Sequence, residues 1–169
     1  VCPKASVEVI PNGCDFGLFE MEPSKDILSG YGWLKHKKVV LYPGTIGKVN
    51  NVEYLVQIAE AMLRLSSDIV FVVVGDGNMA SSVEALAISA RVLNKNFFMI
   101  GELPKNEVID WFKISDMVAV FYKAPLCATS NSVQNKFFDS LAAGKPVVFE
   151  HDGWSVNLLE SCGGALRIP

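Results

Sequence analysis

Residues 129–149 read TSNSVQNKFFDSLAAGKPVVF and divide into a polar loop, a helix and a strand. Ser132 is suited to cap the helix, because its hydroxyl can accept from an unpaired N–H of the first turn. Val133, Phe137, Phe138, Leu141 and Ala142 form one apolar stripe at helical spacing. Gly144 takes the left-handed conformation without steric cost, and Pro146 forbids continuation, so the helix is predicted to stop there. The following Val147–Phe149 is short, apolar and β-branched, the mark of a buried strand. Asn135, Lys136 and Asp139 share the opposite, polar side of the helix.

The same alternation runs outward in both directions. Strands are predicted at 39–42, 69–74, 97–100, 117–122, 147–149 and 165–168, and helices at 50–65, 79–93, 106–113 and 155–160. In the first long helix Val52, Leu55, Val56, Ala59, Met62 and Leu63 share a face. Charged residues are nearly absent from the strands, as for strands covered on both sides. Dense strand–helix alternation requires right-handed crossovers and a parallel sheet, so the fold class is α/β, a Rossmann-like doubly wound parallel sheet. Val7–Ile10 reads as a short extended run closed by the turn Pro11-Asn12-Gly13. A short helix is expected between Ser24 and Leu34, weakened by Gly30 and Gly32.

Half of the 169 residues are apolar, enough for one well-buried core. The net charge of −3 offers no electrostatic footprint for nucleic acid. Apolar runs such as IVFVVVG are far shorter than the roughly 20 residues of a membrane helix. Cys2, Cys14, Cys127 and Cys162 lack metal-ligand spacing and read as reduced thiols of a cytoplasmic protein. No metal or other cofactor is expected. The start VCPKASVEVIPNG is neither a signal peptide nor an initiator Met, so the chain reads as a piece of a longer one.

Several stretches resemble one family in order and spacing. DSLAAGKPVV, from Asp139, resembles the E-A-M-A-x-G-x-P-V-V signature of the family 4 (group 1) glycosyltransferases, and NKFFDSLAAGKPVV is similar to their bacterial polysaccharide-biosynthesis members. YPGTIGKVNNVEYLVQIAEAM, FVVVGDGN, FFMIGELPKNEV and SDMVAVFY resemble the successive motifs of that family's donor domain, and VEVIPNGCDFGLF resembles the segment linking its two domains. The resemblance implies one half of a GT-B fold. Residues 1–36 would be the interdomain linker arm, with Asn12 and Gly13 near the donor. Residues 37–169 would be the C-terminal nucleotide-sugar-binding domain, short of the family's last helices. The missing partner is then an N-terminal acceptor domain of the same chain, and the full-length protein would be cytoplasmic or peripheral to the inner membrane.

The candidate site lies in the loops that follow strands, where ligands of open α/β sheets bind. Gly44, Thr45, Gly47 and Lys48 form the first loop, whose glycines let backbone approach a phosphate. It is neither a Walker A loop nor G-x-G-x-x-G. Gly75-Asp76-Gly77-Asn78 reads better as turn chemistry, with Asn78 a possible cap. Gly101, Glu102 and Leu103 correspond to the family's base-lining loop. Thr129, Ser130, Asn131 and Ser132 suit sugar hydroxyls and phosphate oxygens. The resemblance implies that Asp139 orients the donor's ribose. It departs from the family at four places: Asp139 conservatively replaces the glutamate that opens the signature, Asn131 stands where a second acid is usual, and Thr45 and Asn50 replace the Arg and Lys that hold the diphosphate. Lys48 or Lys136 is expected to supply that charge instead. His36 and His151 are expected to be solvated, and no catalytic residue can be assigned.

The implied function is donor binding in a retaining glycosyltransferase that moves a sugar from a nucleoside diphosphate to a glycan or lipid-linked acceptor. The domain alone would bind nucleotide weakly and transfer nothing, because proximity of the two substrates needs both domains. A nucleotide-sugar 2-epimerase half and a non-catalytic nucleotide-binding or scaffold module remain as alternatives.

Overall fold

The computed structural model describes residues 6, 8, 10, 12–23, 25–66, 68–123 and 133–169. Its six strands are β1 (Lys38–Pro43), β2 (Ile69–Val74), β3 (Phe97–Gly101), β4 (Met117–Val120), β5 (Val147–Phe149) and β6 (Ala165–Arg167). All pair in parallel, in the order β3-β2-β1-β4-β5-β6. Each strand lies where the apolar runs predicted it. The helices are α1 (Gly17–Glu20), α2 (Lys25–Gly30), α3 (Val52–Leu63), α4 (Ala80–Ser89), α5 (Lys105–Ile114), α6 (Asn135–Ala142) and α7 (Trp154–Glu160), with a 3₁₀ turn at Gly32–Leu34.

Alternate strand residues face opposite ways, and the sheet is buried on both faces. Val39, Leu41, Val70, Val72 and Val74 pack with Trp111, Phe112, Phe137 and Val156. Tyr42, Phe71 and Val73 pack with Leu55, Val56, Ala59, Val83 and Ala87 on the other side. This is the doubly wound, Rossmann-like α/β sheet expected from the sequence.

The stretch assigned to the linker arm packs on the domain through Phe19, Ile27, Tyr31, Trp33 and Leu34. Trp33 stacks on Phe98 with ring centres 3.7 Å apart, Tyr31 meets Trp111 at 5.0 Å, and Phe19 meets Phe112 edge-on at 5.9 Å. Aromatic pairs of this kind bury large area at little entropic cost. The extended run expected at Val7–Ile10 falls largely outside the described residues, as does Pro11 of its turn.

α3 is shorter than expected at both ends, Val52–Leu63 rather than 50–65, and two further helix boundaries differ. α4 ends at Ser89, not Leu93, because Arg91 enters the left-handed region at φ 59°. That turn drops Val92 into the core, and no glycine announces it. α6 starts at Asn135, with Gln134 before it in extended conformation, so the helix begins later than a Ser132 cap requires; Ser132 itself lies outside the described residues. Its end is as predicted: Gly144 has φ 65°, and the Lys145 N–H reaches back to the Ser140 carbonyl.

The face of α6 also needs correction. Leu141, read as part of the apolar stripe, is 39% exposed, while Lys136, read as part of the polar side, is buried, as is Ser140. Both are chemically able to go inside. The Lys136 stem is four methylenes long, and the Ser140 hydroxyl donates to the Lys136 carbonyl at 2.6 Å within the helix.

Candidate functional site

The strand order reverses between β1 and β4, which opens a crevice beyond the carboxyl ends of the strands. A cavity of about 710 Å³ occupies it. Its walls come from the β1–α3 loop (Gly44, Thr45, Asn50), the β2–α4 loop (Gly75, Asp76, Gly77), Glu102 and Leu103 after β3, and the start of α6.

Close backbone contact holds the first two loops together. The Gly44 N–H donates to Val74, the Ile46 N–H to Asp76, and the Gly75 N–H to Gly101, continuing the ladder past the strand ends. Gly75, at φ 146°, lies so near the Gly44 carbonyl that a Cβ there would sit 2.1 Å from its oxygen. Only glycine permits this approach. The loop read as turn chemistry is therefore also a wall of the cavity.

Lys136 forms the floor. Its Nζ stands 3.6 Å above the centre of the Tyr42 ring and has no hydrogen-bond partner among the described residues. The residue is only 9% exposed, and a Cβ on Gly44 would lie 3.5 Å from the same nitrogen. Burial therefore pulls the Lys136 ammonium down to about 7, although the Glu150 charge works against that fall. Tyr42 is held in place by its hydroxyl, which donates to the Thr45 carbonyl at 2.8 Å. Burial first, then Glu150 and Glu53, push the Tyr42 phenol up.

Asp139, one turn along α6, lines the same cavity. Burial raises its carboxyl above the usual carboxylate range, and Lys105 partly offsets this. The Asn135 side chain accepts from Asn12 at 2.7 Å, so the turn after the first residues touches the wall of the cavity. Gln134 donates to the Phe121 carbonyl and fixes the entry to α6.

Of the residues singled out in the sequence, Gly44, Thr45, Glu102, Leu103, Lys136 and Asp139 meet at this cavity. Gly47, Lys48 and Gly101 fall outside its lining, and Lys48 is exposed to solvent. Thr129, Ser130, Asn131 and Ser132 lie outside the described residues. Cys14 and Cys162 are free and exposed, and among the described residues no cluster could hold a metal ion. No described helix is long and apolar enough to cross a membrane.

Sequence reasoning missed Glu150 and misjudged His151. The Glu150 carboxylate accepts from the Tyr122 N–H at 2.7 Å and from Asn51 at 3.3 Å; its second oxygen has no hydrogen-bond partner among the described residues. The His151 side chain, expected in solvent, is only 10% exposed, packed edge-on against Phe149 and Tyr122 with Nδ1 3.5 Å from that oxygen. The acid immediately after the buried strand VVF was the available signal, since a charge there cannot easily reach bulk water. His36 is exposed, as expected.

Comparison with known proteins agrees with this architecture. The chain is 24% identical over 161 residues to a lipopolysaccharide 1,2-N-acetylglucosaminetransferase of Salmonella typhimurium, covering 89% of this chain and 40% of that protein. It superposes on HepE of Anabaena, solved in complex with UDP, with TM-score 0.74 and 18% identity, over 95% of this chain and 43% of HepE. The C-terminal domain of the group 1 glycosyl transferase LpcC from Francisella tularensis matches with TM-score 0.62 and 18% identity, over 82% of this chain and 70% of that domain. The chain thus spans less than half the length of the first two. Residues 25–153 match the family of glycosyl transferases group 1, and the chain belongs to that family.

Proposed function

We propose that this chain is the donor-binding C-terminal half of a retaining GT-B glycosyltransferase, which moves a sugar from a nucleoside diphosphate to a glycan or lipid-linked acceptor in bacterial polysaccharide synthesis. One observation carries the reading. At the switch point of the sheet, a buried lysine with no described partner faces a cavity whose walls are glycine-rich backbone. An uncompensated cation there is costly unless an anion completes it. Phosphate is the anion that glycine loops and a helix start are built to approach. The UDP complex of HepE and the lipopolysaccharide transferase similar to this chain support a nucleotide sugar as the donor.

In this reading Lys136, rather than the exposed Lys48, takes the diphosphate, with Gly44 and Thr45 offering backbone. Asp139 holds the ribose hydroxyls, and Glu102 and Leu103 border the base. Thr129 and Asn131 hold the sugar. The domain's share of catalysis is to position the donor and stabilise the leaving diphosphate with fixed dipoles and one cation. The acceptor and the groups that orient it belong to an N-terminal domain, joined through residues 1–36, and the protein works in the cytoplasm or at the inner face of the membrane. No metal is required of this domain.

Titration calorimetry with a panel of UDP-, GDP- and ADP-linked sugars tests the reading. One base class should bind with a dissociation constant of about 10 μM–1 mM, since half of the cleft is open to water. Sugar transfer by this chain alone is not expected. Failure of every nucleotide sugar to bind at millimolar concentration overturns the reading.

A further inference from the structure

Lys136 and Tyr42 are stacked at the cavity floor, and Glu150 acts electrostatically on both the Tyr42 phenol and the Lys136 ammonium. Lys136 and Glu150 do not pair: Nζ has no hydrogen-bond partner among the described residues, and the basic neighbour of Glu150 within 4 Å is His151, at 3.5 Å. Glu150 is instead fixed by the Tyr122 N–H and Asn51, which tie it to the ends of β4 and the start of α3. The amine therefore rests on an aromatic face, and the Glu150 carboxylate that acts on it is fixed by other partners.

Such an arrangement suits a group that changes charge. An aromatic face accommodates an ammonium by its quadrupole and a neutral amine by its apolar surface, so neither form is expelled. We propose that anion binding in this cavity is coupled to proton uptake: Lys136 gains the proton as the diphosphate arrives, and Glu150 is the positioning residue that sets the pH at which it does so. The inference rests on reading the cavity as the donor site. The step is a protonation of the neutral amine by solvent, R–NH₂ + H⁺ → R–NH₃⁺, with no other bond made or broken.

The sign of the coupling follows from linkage. With the free amine balanced near pH 7, an anion beside it raises its proton affinity. Below that pH the amine is already charged, and affinity for the anion is flat and greatest. Above it, affinity falls as pH rises, by up to tenfold per pH unit, until the pKa of the complex is reached. The charged groups around Lys136 are Glu150, which follows β5 and acts on it, and Asp139, Asp76 and Glu102, which line the same cavity. Lys105 acts on Asp139, and Glu53 of α3 acts on Tyr42. Of these carboxylates, Glu150 acts on the Lys136 ammonium and favours its charged form.

Calorimetry of the protein at about pH 8, repeated in buffers of different ionisation enthalpy, counts protons directly. The probes are UDP-glucose and the P¹,P²-dimethyl ester of pyrophosphate, neither of which titrates in this range. The expected result is an uptake approaching one proton per ligand, vanishing below about pH 6 and abolished in Lys136→Met. Glu150→Gln, which keeps an oxygen for the Tyr122 N–H, should move the onset of uptake to lower pH, and it serves if Lys136→Met does not fold. Binding of either probe without uptake, uptake that persists in Lys136→Met, or an onset unmoved by Glu150→Gln overturns the proposal while leaving the donor reading intact. Uptake with the pyrophosphate ester but no binding of UDP-glucose or other nucleotide sugars keeps the proposal and removes the donor reading. Binding of neither probe overturns both.

Discussion

The Lys136 ammonium nitrogen sits 3.6 Å from the centre of the Tyr42 ring, which joins the first strand to the helix that closes the cavity. Two uses of Tyr42 can be separated by substitution. Tyr42→Phe keeps the ring but deletes the hydrogen bond to the Thr45 carbonyl. It should cost about 0.5–1.5 kcal/mol of stability and leave nucleotide affinity within about twofold. Denaturant unfolding and titration calorimetry measure the two. A large loss of affinity with no loss of stability would show that the hydroxyl, and not the ring, serves the site.

Asp139→Ala should weaken nucleotide binding by roughly 1.5–3 kcal/mol, the worth of charged hydrogen bonds to a ribose, without unfolding the domain. The carboxyl also gives a pH signature. Its folded pKa is raised by burial, so the folded state holds the proton more tightly than the unfolded chain. Its stabilising contribution is therefore complete below the unfolded value near 3.8 and is lost as pH rises through the folded value. Asp139→Asn should then unfold no earlier than wild type at neutral pH. A marked fall in melting temperature for Asp139→Asn would mean that the charge is paired in the folded protein.

Gly75→Ala should be among the most damaging small substitutions in the chain. The added Cβ would stand 2.1 Å from the Gly44 carbonyl oxygen, against backbone rather than a flexible side chain, and at φ 146°. A loss of about 2–4 kcal/mol is expected, with nucleotide affinity falling as the Gly44 loop is displaced into the cavity. Gly13→Ala, which meets nothing within 4 Å, is the control. Equal melting temperatures for the two variants would refute the close packing of these loops.

Trp33→Ala removes the ring stacked on Phe98 and uncovers Trp111, to which Trp33 also lies parallel at 6.3 Å. The loss should be about 2–4 kcal/mol, and the unfolding transition should remain single. If the variant shows no loss, residues 17–34 are only draped on the sheet; if it shows a second transition, they fold as a unit of their own.

Much of the fold was legible because the signals are local. The apolar runs at β1, β2, β4 and β5 became strands, since a strand covered on both faces needs apolar residues on both sides. Gly144 stopped α6 because a left-handed residue must follow it there. The boundary at Ser89 was hidden because Arg91 carries no visible mark of its left-handed backbone.

The sequence by itself determined the element order, the parallel double winding and the family, because periodicity, turn chemistry and motif order are written in neighbouring residues. Only the tertiary structure decided which charges matter. Lys136 and Lys48 are alike as residues, yet one is buried over Tyr42 and the other lies in solvent. Glu150 acts on Lys136 only because the strand order brings the ends of β1, β4 and β5 together. Burial and electrostatic coupling depend on what a fold places around a side chain, and residue type alone does not carry that information.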